Sequence, residues 1–242
     1  MKKKRKHIIR QTLYRLLVFV LCIMAAVSIF YGIKGYRMYQ DAISQMSIEE
    51  KVDMVRGEEN YTRYSELPEF YIDAVISVED HRFEKHPGID PIAICRAAWT
   101  DIREGSFAEG GSTITQQLAK NLLFTQDKMI ERKVAEVFAA FDLEANYSKE
   151  EIFELYANTV YFGSGYYGIY AAAAGYFMKM PSELTDYESA MLAGVPNAPS
   201  VYSPDINMEA ASQRAAQVLH SMVRNKVLTQ EEAEKVQRKM LK

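Results

Sequence analysis

Between Leu16 and Ile33 the chain reads LLVFVLCIMAAVSIFYGI, eighteen residues without a charge. As a helix rising 1.5 Å per residue this run spans roughly 27 Å, close to the hydrocarbon thickness of a bilayer. A secretory leader would carry a shorter apolar core, about 7–15 residues, and a small-residue cleavage site. This run instead exits into YGIKGYRMYQ, so it reads as an uncleaved transmembrane anchor. A buried core helix is the alternative, and it leaves the flank unexplained: Lys2, Lys3, Lys4, Arg5, Lys6, Arg10 and Arg15 precede the run, with no acid among them. That asymmetry makes residues 1–15 a basic cytoplasmic tail, 16–33 the membrane-spanning helix, and places the chain beyond residue 33 outside.

The formal charge of −3 is therefore an average of a basic tail and an acidic remainder. A net positive charge found only in a short tail argues against a nucleic-acid partner. With 48% hydrophobic and 25% charged residues the composition is globular, and the roughly 200 residues beyond the anchor suffice for a core of their own. Cys22 lies in the anchor and Cys95 beyond it, so the two cannot pair without pulling one out of the bilayer.

Helix signals dominate the exported part. Ser47–Glu50, Ser148–Glu151 and Thr229–Glu232 each have a hydroxyl and a carboxylate three residues apart, the pattern that satisfies free N–H groups at a helix start. Asp90-Pro91 puts a capping acid before a proline at the first helical position. Apolar spacing of three and four predicts helices near 47–56, 68–83, 90–104, 113–123, 128–146, 149–161, 168–178, 185–194, 207–227 and 230–241. Glycine and proline mark the breaks, and no linker or repeat divides the chain. The expectation is a mainly α domain over 46–242, joined to the anchor by a juxtamembrane connection at 34–45.

Four segments carry chemistry. In Glu79-Asp80-His81-Arg82-Phe83-Glu84-Lys85-His86-Pro87-Gly88 two carboxylates end an apolar helix. The negative end of a helix dipole raises a carboxyl pKa and suits a proton acceptor. The same residues also read as a solvated helix end, or as a metal site of Glu79, Asp80 and His86, whose spacing matches no standard ligand pattern. In Gly110-Gly111-Ser112-Thr113-Ile114-Thr115-Gln116-Gln117, followed by Lys120, a flexible lead and a hydroxyl cap leave N–H groups for an anion, with Gln116 and Lys120 on one face. It also reads as a plain cap, and it lacks the lysine of a nucleotide-binding loop. Lys128, Arg132 and Glu136 recur every four residues, next to Lys133, which by itself is a surface ion-pair ladder. Tyr156 to Phe177, including Asn158, is rich in small and aromatic residues and is either helix packing or a sugar or lipid groove.

Together and in this order the segments resemble the peptidoglycan glycosyltransferases of glycosyltransferase family 51. The motifs stand as Glu79–Gly88, Gly110–Gln117, Arg132–Glu136 and Tyr156–Ile169. A fifth match is Glu188-Ser-Ala-Met-Leu-Ala-Gly-Val-Pro-Asn-Ala-Pro199, and the resemblance spans about 67–205. Ala157 stands where the family usually has Leu, a packing change. Ala135 stands where some members carry Lys, a lost contact that Lys133 or Lys128 covers. The resemblance implies a lysozyme-like, two-lobed helical domain with a groove for lipid-linked substrates. It also implies a bacterial cytoplasmic-membrane location, single-pass, with the N-terminus cytoplasmic and the catalytic domain on the outer face. The implied reaction polymerises lipid II into glycan strands by inverting β-1,4 transfer, releasing undecaprenyl diphosphate. By match of motif Glu79 is the general base and Asp80 its support. Ser112, Thr113, Gln116, Gln117, Lys120, Lys128, Arg132, Lys133 and Asn158 contact diphosphate or sugar. Glu136 is a second catalytic acid that orients the cations or helps hold a divalent metal, Mg2+ or Mn2+; no organic cofactor is expected. Lipid II, the growing lipid-linked glycan, the membrane and other wall-synthesis proteins are the expected partners. The residues after Pro204 are too few for the transpeptidase domain of bifunctional relatives, so a monofunctional enzyme is expected. Rival readings are a lysozyme-like hydrolase or lytic transglycosylase, disfavoured by the diphosphate motif and the anchor, and a non-catalytic lipid II-binding scaffold, disfavoured by the presence of both carboxylates. Residues 206–242 read as two amphipathic helices with no assigned role.

Overall fold

The computed structural model describes residues 2–104, 110–125 and 129–239. Among the described residues twelve helices run in chain order: α1 (Lys2–Gln45), α2 (Ile48–Arg56), α3 (Glu69–Glu79), α4 (Pro91–Glu104), α5 (Ile114–Leu123), α6 (Ile130–Asn146), α7 (Lys149–Thr159), α8 (Gly168–Phe177), α9 (Asp186–Gly194), α10 (Pro199–Tyr202), α11 (Met208–Arg224) and α12 (Gln230–Lys239). Among the described residues there is no strand, only a bridge between Tyr161 and Tyr167. The fold is mainly α.

Local chemistry sets most of these ends. Reciprocal capping pairs open α2 (Ser47 with Glu50), α7 (Ser148 with Glu151) and α12 (Thr229 with Glu232). The same device opens α5 (Thr113 with Gln116) and α9 (Thr185 with Glu188); each satisfies two otherwise orphaned N–H groups. Two expectations are corrected. The predicted helix 68–83 ends at Glu79, because Asp80 leaves helical geometry at φ −156, ψ 71, and a short 3₁₀ turn, Phe83–Lys85, comes after it. A short helix, α10, also occupies part of the proline-rich segment expected as a break, with Pro199 at its first position.

The apolar run is one stretch of α1, whose helix continues unbroken through residues 34–45. This segment is long and apolar enough to cross a membrane, and its side chains are largely exposed. The core of the remaining helices is built on fully buried Tyr71, Phe83, Leu118, Leu143, Phe153, Tyr156, Phe162 and Leu192. α3 packs against α9 and α11, while α5 packs against α6 and α7. The end of α3, the start of α5 and the first turns of α6 therefore converge.

Candidate functional site

Glu79 and Asp80 are adjacent, yet they point into different surroundings. Leaving the helix at Asp80 turns its carboxylate inward, where only 6% of the residue is exposed. Both its oxygens lie 3.0 Å from His86 Nε2, and Oδ2 accepts the Ile114 N–H at 3.1 Å. Thr113 Oγ1 donates to the Gly88 carbonyl at 2.6 Å. Gly88 sits at φ +92 with Ala140 O 3.0 Å from where a Cβ would be, so a side chain there is excluded. Lys149 Nζ donates to the His86 carbonyl and to Glu144, each at 2.7 Å. The loop 80–88 is thus stapled to the start of α5. Asp80 and His86 are spent on each other and Glu79 is held elsewhere, so the three do not form a metal site.

This staple also decides between the two readings of the start of α5. The hydroxyl cap is Thr113, and the capping pair with Gln116 closes in both directions at 3.1 Å. With Ile114 N–H given to Asp80, the start of α5 is a buried joint rather than an open anion seat. Thr113, 2% exposed, holds the scaffold, while Gln116, 3% exposed, closes the cap and also lines the cleft that Glu79 faces.

Glu79 is half-buried and faces a cleft of about 310 Å3 lined also by Ser112, Gln117, Lys120, Arg132, Lys133 and Glu136. Its Oε2 accepts from Gln117 Nε2 at 2.7 Å. Burial raises its pKa above the ordinary carboxylate value and Asp80 adds to the rise, while the Gln117 hydrogen bond, Arg214 and Lys120 pull it back. A carboxylate held this way is a better proton acceptor than one in water.

Across the cleft, Lys133 Nζ donates to Glu136 Oε2 at 2.7 Å and to Ser112 Oγ at 2.6 Å. Arg132 Nε lies 3.5 Å from Glu136 Oε1, and its guanidinium donates to the Thr125 carbonyl at 3.2 Å. The Glu136 side chain is 1% exposed and that of Arg132 13%. The i, i+4 spacing therefore marks an inward-facing cluster, not a surface ladder. Burial lowers the Lys120 pKa, with Arg132 and Lys133 acting the same way and Glu136 and Glu79 against it. Lys128 lies outside the described residues. Glu136 is one carboxylate ringed by cations, and among the described residues no group of three His, Cys, Asp or Glu could hold a metal ion. With Arg132 and Lys133 already paired to it, Glu136 does not fit a resident Mg2+ or Mn2+.

Asn158 does not line the cleft. Its amide accepts from Thr62 N–H and donates to the Thr62 and Glu154 carbonyls, all at 2.8 Å. Every polar atom is committed to backbone, which makes it a clamp between α7 and the segment before α3.

Arg214 of α11 belongs to none of the sequence motifs, yet it lines the Glu79 cleft together with Pro196 and Asn197. Its Nε donates to the Gly194 carbonyl at 3.3 Å and its NH1 to Gln217 at 3.1 Å. Beyond it, Glu79 also borders a second cleft of about 470 Å3 lined by Ser77, His81, Arg96, Arg214, Arg224 and Asn225. Arg214, Ser221 and Arg224 form one stripe of α11 by spacing, with Asn225 just past its end, a signal that sequence alone cannot tell from a solvent face.

The transglycosylase family model matches residues 45–223. Penicillin-binding protein 1A of Aquifex aeolicus is 45% identical over 181 residues, 75% of this chain and 25% of that protein. Penicillin-binding protein 1F of Bacillus subtilis is 48% identical over 158 residues, 65% of this chain and 22% of that protein. A crystal structure of penicillin-binding protein 1A from Haemophilus influenzae matches at 32% identity and a TM-score of 0.36, covering 51% of this chain and 15% of that one. The chain spans about a quarter of the length of the curated relatives it matches. The matched region runs from the end of α1 nearly to the end of α11 and takes in every described residue that lines the Glu79 cleft, and all of the second cleft's lining but Arg224 and Asn225: the chain belongs to the transglycosylase family.

Proposed function

We propose that the chain polymerises lipid II into linear glycan strands on the outer face of a bacterial cytoplasmic membrane, with α1 as its anchor and its N-terminus cytoplasmic. Glu79 takes the proton of the acceptor's 4-hydroxyl as that oxygen attacks the anomeric carbon of the donor sugar. The bond from that carbon to the undecaprenyl diphosphate breaks, and its electron pair leaves on the diphosphate. Attack opposite the leaving group inverts the centre and gives a β-1,4 linkage. Glu79 then passes its proton to water. General-base catalysis contributes on the order of 10²–10⁴ in rate, about 3–5 kcal/mol.

Lys120, Arg132 and Lys133 meet the charge that develops on the departing diphosphate, where charge-assisted hydrogen bonds in a partly dry cleft are strongest. Glu136 keeps Arg132 and Lys133 from swinging out to solvent. A diphosphate leaving group needs little protonation, so the paired acid and base of a glycosidase is unnecessary. The observation that carries this reading is Glu79 standing between two cation-lined clefts, as a reaction joining two lipid-diphosphate substrates requires.

Product analysis tests it. Incubated in detergent with lipid II and Mg2+ or Mn2+, the full chain is expected to yield long glycan. Inertness toward lipid II with shortening of finished wall polymer would identify a hydrolase; binding without any product would identify a scaffold.

A further inference from the structure

The 34–45 part of α1 docks on α6, and the contact runs in parallel: Lys34 pairs with Glu131 at 3.1 Å, Tyr36 stacks edge-on to Phe138 with centroids 5.2 Å apart, and Tyr39 Oη donates to Asp142 at 2.5 Å. At Gly35 the helices meet at backbone distance, since a Cβ there would lie 2.6 Å from Val134 Cβ and 3.0 Å from the Glu131 carbonyl. Burial on α1 starts at Gly35 and returns at Tyr39, a single stripe turned to α6. Residues 131, 134, 138 and 142 of α6 face α1, while Arg132, Lys133 and Glu136 face the cleft.

The register fixes a height. Lys34 is the first charge after the uncharged run, and Glu131 is level with it. Arg132 and Lys133 follow Glu131 by one and two residues, so their backbone stands about 1.5–3 Å further along the axis and that of Glu136 about 7.5 Å. Met129 and Ile130, just before Glu131, and Ile33, just before Lys34, are all exposed, so by the same register two apolar ends stop at about one level.

We propose that the α1–α6 contact is a positioning device. It holds the Arg132–Lys133–Glu136 cluster in the phosphate layer of the bilayer, at the depth where a polyprenyl chain carries its diphosphate. This rests on the polymerase reading. The substrate then reaches the cations without withdrawing its chain from the hydrocarbon, whose exposure to water is costly.

The test is a ruler experiment on the full chain. A seven-residue polar helical insert between Ile33 and Lys34 adds about two turns, leaves the docking face nearly unrotated and raises the domain by roughly 10 Å. In vesicles, on substrate with its full polyprenyl chain, polymerisation is expected to fall at least about tenfold. In detergent, on a short-chain substrate, the insert and the unaltered chain are expected to run at equal rates. The same insert before Leu16, on the other side of the run, is expected to leave the vesicle rate unchanged. An undiminished vesicle rate, equal losses in both assays, or an equal loss with the control insert overturns the proposal. An unaltered chain that polymerises neither substrate overturns the polymerase reading instead.

Discussion

The backbone turns between Glu79 and Asp80, and two chemically similar side chains acquire different work. Asp80 is buried against His86 and the start of α5; Glu79 is left in a cleft where burial raises its pKa and the nearby cations Arg214 and Lys120 offset part of the rise. Arg214 is one of those cations, so its removal must raise the Glu79 pKa further. Since the base acts as a carboxylate, Arg214→Gln is expected to move the acid limb of the kcat/KM profile to higher pH, with the largest loss of rate at acidic pH. A pH–rate profile checks this; an unmoved limb contradicts the pairing. The motif makes Glu79 legible from sequence. Arg214 is not legible, because an arginine on the polar stripe of an amphipathic helix is the commonest kind of surface residue. Asn158 misleads for a related reason: an amide that would bind sugar is the same amide that clamps backbone.

Among the elements, helix ends are legible wherever a local device sets them. Capping pairs at Ser47, Ser148 and Thr229 need nothing beyond neighbouring residues. The end of α3 is not legible because its apolar spacing carries on to Phe83, which is itself buried; the helix stops at Glu79 because Asp80 has partners far along the chain. The start of α5 is ambiguous likewise, since its N–H groups are satisfied by distant Asp80 and by the Thr113–Gln116 pair and are not left for an anion. Asp80→Asn tests whether this joint is scaffold. It keeps the shape but loses the charge that pairs with His86 and Ile114 N–H, so stability is expected to fall by about 2–3 kcal/mol. KM for lipid II in the remaining folded enzyme is expected to stay near that of the unaltered chain. Thermal unfolding with steady-state kinetics checks both; a raised KM at unchanged melting temperature would move Asp80 into the substrate site.

At the scale of the whole molecule, the helices bring three distant stretches to one place: the end of α3 supplies a base, α5 and α6 supply cations around Glu136, and α11 closes the far side. The sequence shows the first two as motifs and leaves the third as pattern, because only packing of α11 against α3 and α9 turns its stripe inward. Burying Glu79 has a cost with a definite sign. A pKa raised in the folded state means the folded protein holds this proton more tightly than the unfolded chain does. The penalty is absent at low pH, grows as pH rises from the unfolded value to the folded one, and is full above it. Glu79→Gln removes that penalty together with the base, keeping a side chain able to accept from Gln117. The most direct measurement is lipid II turnover by Glu79→Gln beside lipid II binding and melting temperature at neutral pH. Turnover is expected to fall at least about a hundredfold, with binding retained and the melting temperature at or above that of the unaltered chain. Undiminished polymerisation in Glu79→Gln would contradict the assignment of the base and, with it, the reading of the two clefts.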